Sequence, residues 1–90
     1  MFILDDYVSR FYGRAKVCRV LGVSLYFSYN TLIAVRVPTG ETFMDECEYS
    51  NTTRRHASHV PHVRVKYMAH DDLEQLALDA IAVEMRRIGR

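Results

Sequence analysis

Leu32 to Val37 is β-rich and almost continuously apolar, and it ends at Pro38-Thr39-Gly40. An apolar run of that kind predicts a central strand. Proline and glycine at that spacing predict a tight turn. Thr42 to Cys47 then returns as the next strand, and its Asp45 and Glu46 predict an edge, where charge discourages further pairing. Upstream, Val23, Leu25, Phe27 and Tyr29 alternate with Ser24, Tyr26 and Ser28, the period of a half-buried strand. Cys18 and Val20 fall on the opposite parity, so Gly22 marks a bulge or a tight turn. Asn30-Thr31 is the turn before the central strand. Val63, Val65 and Tyr67 alternate with Arg64 and Lys66, giving one more strand with a wet face.

Helical signals frame these strands. Leu4, Tyr7, Val8, Phe11 and Tyr12 recur at helical spacing, with Asp5 and Asp6 at the start and Gly13 as a stop. Ser50 is a good N-cap for a short helix reaching about Val60, before Pro61. Asp71 and Asp72 open a last helix that Arg86, Arg87 and Arg90 close, matching the macrodipole at both ends. The expected fold is α+β. It has a small, mainly antiparallel sheet of three to four strands, N- and C-terminal helices on one face, and a short middle helix. Ninety residues make one domain, spanning 1–90.

Two motifs resemble a family of short proteins from bacteriophages and archaea. They are Ser28-Tyr29-Asn30-Thr31-Leu32-Ile33-Ala34-Val35-Arg36 and Tyr49-Ser50-Asn51-Thr52-Thr53-Arg54-Arg55-His56. The family pattern reads Ser-Tyr-x-Thr-x-Val/Ile-Ala, a glycine turn, then Tyr-Ser-x-Thr-Thr-x-Arg-His. The likeness covers about a third of the chain and departs from the pattern at Leu32. It implies an origin in a virus or mobile element and a small α+β fold, and it carries no activity.

Charge is balanced overall, at a net +1, and so points to no polyanion. Its distribution is uneven: Glu41, Asp45, Glu46 and Glu48 form an acidic block, followed by Arg54, Arg55, Arg64 and Lys66. Such blocks are either solvated faces or a bipolar docking surface. Thr52, Thr53, Arg54, Arg55 and His56 follow an N-cap serine, where free backbone N–H groups suit a phosphate. They serve equally to cap the helix and tie it to the acidic strand. Tyr26, Tyr29, Tyr49 and Tyr67 are either core and rim residues, a stacking platform beside Arg64 and Lys66, or interface anchors.

His56, His59 and His62 match no standard zinc spacing, so no metal or other cofactor is expected. Cys47 with His56 lacks a third group, and no glycine-rich phosphate loop exists, so no catalysis is expected. Cys18 and Cys47 read as reduced core residues. The opening Met-Phe-Ile-Leu-Asp-Asp puts acids where a secretion signal needs a basic lead, and no apolar stretch approaches membrane-spanning length. The chain is expected in the cytoplasm of a bacterial host.

The leading expectation is a non-enzymatic phage or mobile-element accessory protein that binds a host protein, most concretely an inhibitor of a bacterial defence system of the anti-CRISPR kind. The alternative is a nucleic-acid-binding module or regulator. Either would use Tyr49, Thr52, Thr53, Arg54, Arg55, His56, Arg64 and Lys66. The last helix has an apolar arc too broad for one sheet contact, which predicts a homodimer through Leu78, Ile81 and Met85.

Overall fold

The structure, a computed structural model, describes residues 3–6, 15–46, 57, 60 and 62–88. Six strands and one helix account for nearly all of them: β1 Ile3–Asp6, β2 Ala15–Val20, β3 Val23–Ser28, β4 Thr31–Arg36, β5 Thr42–Asp45, β6 Val65–Met68 and α1 His70–Ile88. They form one sheet in sequence order, β1-β2-β3-β4-β5-β6. Neighbours run antiparallel except β5 and β6, which are parallel. The five strands β2 to β6 thus make a mixed sheet, to which β1 adds on the outside.

Turn chemistry sets the hairpins. Leu21 and Gly22 both take positive φ, 52° and 84°, the backbone that a two-residue hairpin loop asks for. Ser28 pairs with Thr31, so the next turn is Tyr29-Asn30, one residue earlier than expected, with Tyr29 at φ 56°. At the Pro-Thr-Gly turn, the Gly40 N–H donates to the Val37 carbonyl (2.9 Å) and the Val37 N–H to the Glu41 carbonyl (3.1 Å).

The apolar run in β4 is explained by a bulge. Tyr26 pairs with Ala34 and Phe27 with Leu32, so Ile33 is the extra residue. Strict alternation would put Leu32 and Val35 on opposite faces. The bulge lets both join Val23, Leu73 and Ala77 under α1. Ile33 and Ala34 join Val17, Tyr26, Met44 and Val60 on the other face. One strand thereby feeds two cores, which is why its sequence shows no polar side.

The structure corrects several expectations. The sheet has more than the three to four strands expected. The expected N-terminal helix was to begin at Leu4, but Leu4, Asp5 and Asp6 pair with β2 in strand β1; the rest of that segment lies outside the described residues. Among the described residues, α1 is therefore the helix that packs on the sheet, where two were expected. The expected edge strand β5 is interior, because β6 pairs along it in register from Thr42↔Val65 to Asp45↔Met68. The middle helix from Ser50 falls almost wholly outside the described residues. The last helix, with Asp71 and Asp72 in its first turn and Arg86 and Arg87 in its last, is as expected.

Candidate partner-binding surface

The parallel pair β5–β6 and the start of α1 meet at one end of the sheet. The Glu46 N–H donates to the Met68 carbonyl (2.9 Å), and the Leu73 N–H opens α1 by donating to the Ala69 carbonyl (2.9 Å). This places His70 beside the last residue of β5. Its Nδ1 donates to Asp45 Oδ2 at 2.5 Å, and its Nε2 lies 3.5 Å from Glu74 Oε1 one turn further along the helix. The Asp45 side chain is fully buried, whereas His70 and Glu74 are partly open. A buried carboxylate requires such a partner.

The hydrogen bond to Asp45 raises the His70 pKa above its ordinary 6.5; burial opposes this, and the charges of Asp45, Glu74 and Asp71 add to it. An Asp–His pair also orients a general base in many enzymes. Here the second ring nitrogen is engaged by a carboxylate of the same helix, so the cluster acts as a latch between α1 and β5. Sequence reasoning passed over His70. The available signal was a histidine directly ahead of the Asp71-Asp72 helix start, level with a strand ending in Asp45.

The exposed functional groups gather at the outer strand. Tyr67 is 62% exposed; Lys66, the residue before it, is exposed on the opposite face of the strand, and His62 and Arg64 are exposed in the segment that leads into it. Arg64 sits in the left-handed region, φ 49°, in the bend that leads into β6. The aliphatic stem of Lys66 passes over the β5 surface, its Nζ 6.0 Å from the centre of the Phe43 ring and 3.3 Å from Glu41 Oε2. Of the acidic and basic blocks of the sequence, Glu41 and Lys66 are thus brought together here, because β5 and β6 are neighbours.

Of the sequence-predicted site residues, Arg64 and Lys66 share this edge. Tyr49, Thr52, Thr53, Arg54, Arg55 and His56 lie outside the described residues. Tyr26 is core, Tyr29 is exposed in its turn, and Cys18 is a free, half-buried thiol. Along α1, Leu78 and Met85 are 63% and 59% exposed, while Ile81 is half-buried against the core. No group of three or more His, Cys, Asp or Glu is placed to hold a metal ion among the described residues.

A family model matches residues 4–72, from β1 through the first residues of α1. The chain belongs to the Family of unknown function (DUF8033). The DUF8033 match therefore takes in all of the sheet but Ile3, together with the Asp45–His70 pair, and it stops short of Leu78 and Met85. No curated protein and no solved structure matches the chain. No helix among the described residues is long and apolar enough to cross a membrane.

Proposed function

We propose that this DUF8033 chain is a non-enzymatic accessory protein of a phage or mobile element. It acts in the cytoplasm of a bacterial host by binding a host protein, and its most concrete form is an inhibitor of a defence system of the anti-CRISPR kind. The observation that carries the binding reading is the outer strand. Tyr67 stands out from one face of β6, with the exposed Arg64 in the bend ahead of the strand and Lys66 on the strand's other face, and tyrosine and arginine supply much of the energy at protein interfaces. The viral setting rests on the Ser28–Arg36 and Tyr49–His56 motifs. Tyr49, Thr52, Thr53, Arg54, Arg55 and His56 belong to the same reading at the level of sequence. The nucleic-acid alternative is less well supported at this edge, because Lys66 already faces Glu41 and a phosphate would have to displace it.

The test is a pull-down from host lysate, with and without nuclease, using the wild-type chain and a Tyr67→Ala/Arg64→Ala variant. A host protein retained by the wild type under both conditions, and lost by the variant, is the expected result. Retention of nothing, or retention that vanishes with nuclease, overturns it. In cells carrying an active defence system, the wild-type chain is expected to restore plaque formation and the variant to fail.

A further inference from the structure

We infer that the exposed flank of α1 is a self-association surface that docks the same flank of a second copy, antiparallel. Leu73, Ala77 and Ala80 face the sheet. Leu78, Ile81, Met85 and Ile88 follow one another at intervals of three, four and three, along a line about a quarter turn away. That spacing is the seam by which one helix packs against another. Three of the four are open to solvent, Leu78 at 63%, Met85 at 59% and Ile88 at 64%. The fourth, Ile81, is half-buried and joins the stripe to the core, so a partner helix would extend that core.

Two observations select a second copy, and its direction. The helix carries Asp71, Asp72 and Glu74 in its first turns and Arg86 and Arg87 in its last, Arg87 being paired with Glu84 of its own helix. A parallel pairing would set acid against acid and base against base, whereas a two-fold axis across the helix opposes unlike ends and unlike dipole poles. With that axis between Ile81 and Ala82, Leu78 lies across from the partner's Met85. Glu74 then comes within about one turn of the partner's Arg86. Ala82 is exposed and small, so the helices approach closely at the axis.

The stripe from Leu78 to Ile88 is only about 15 Å long. That is well short of the roughly 800 Å² per partner of a tight complex, so the dimer should be a micromolar one.

Sedimentation from about 1 to 200 µM reads this directly. The wild type should pass from monomer to dimer over that range. Leu78→Glu/Met85→Glu should stay monomeric throughout, with unchanged helical circular dichroism. Ala82→Arg blocks the axis at an exposed position where arginine is a good helix former, so it should give the same result even if the double variant fails to fold. Arg86→Glu should weaken an antiparallel dimer about two- to three-fold and leave a parallel one nearly unchanged, since there one like-charged pair replaces another. A wild type that remains monomeric at the highest concentration overturns the inference, and so does a folded Ala82→Arg chain that still dimerises. Neither result touches the host-protein reading, which rests on β6.

Discussion

Strands β5 and β6 are each four residues long and lie side by side in parallel register. Their surroundings differ sharply. In β5, Thr42, Met44 and Asp45 are buried and Phe43 is half-buried; in β6, Lys66 and Tyr67 are exposed and Val65 and Met68 are only half-buried. Composition does not explain this, since β5 carries an acid and β6 carries two apolar residues and a tyrosine. Position does. β5 has a neighbour on both sides and a core on both faces, while β6 ends its side of the sheet among the described residues. A charge is tolerated in β5 because His70 reaches it from the helix. The tyrosine of β6 stays open to solvent, and its lysine pairs with Glu41. Within one sheet, the same strand length serves once as structure and once as surface.

Truncation should break that contrast most visibly. Met44 is 4% exposed and packs with Ile33, Ala34 and Val17, so Met44→Ala should cost about 2–5 kcal/mol. Its register partner Tyr67 is mostly in solvent, and Tyr67→Ala should cost about 0.5 kcal/mol or less. Denaturant melts of the two variants measure the difference. Equal losses would mean that β6 is buried in solution, and the outer-strand binding surface would go with it.

The latch that lets β5 hold a charge should be visible as a pH dependence. His70 gains its proton more readily in the fold than in the unfolded chain. Its stabilising contribution is therefore fully present below the ordinary value of 6.5 and is lost as pH rises through the higher folded value. Melting temperatures of the wild type and His70→Gln should differ most near pH 5.5–6 and converge on the alkaline side. Asp45→Ala removes the buried acceptor and leaves His70 without its main partner, at a cost of about 1–3 kcal/mol, and it should abolish that pH-dependent difference. A constant gap between wild type and His70→Gln across the range would mean that the pair contributes packing and no charge.

Most of the local structure was legible. The strand at Val23–Ser28, the Pro38–Gly40 turn and the charged ends of α1 are short-range signals, read within a turn or a strand; the expected wet side of that strand is corrected, since Tyr26 and Ser28 are buried and Tyr29 lies in the turn. Two things were not local. The Ile33 bulge is hidden because its effect is to erase alternation, and an erased pattern looks the same as a strand buried on both faces. The parallel partnership of β5 and β6 joins segments about twenty residues apart, so Asp45 and Glu46 read as an edge when the true edge was still to come. The expected N-terminal helix failed at Leu4–Asp6 for a related reason. A four-residue span with two acids fits a helix start or an outer strand equally well, and the pairing with β2 decides it. Of the site, Arg64 and Lys66 were readable as a wet strand face, whereas His70 was not, because its meaning depends on Asp45 across the sheet.

A gain in stability is expected at Thr42, where β5 opens opposite Val65. The Thr42 residue is fully buried, and its Oγ1 is without a hydrogen-bond partner. A buried hydroxyl that loses water and gains nothing is a net cost, and replacing it with a methyl group of similar shape removes that cost. The backbone is unaffected, since valine favours a strand at least as well as threonine. Thr42→Val should therefore raise stability by about 1 kcal/mol, moving the denaturation midpoint up with no change in slope. The matching change on the neighbouring strand, Val65→Thr, falls at a half-buried position where water satisfies the new hydroxyl, and it should be close to neutral. If Thr42→Val instead destabilises the fold, then the hydroxyl has a partner in solution, and this end of β5 is a polar site.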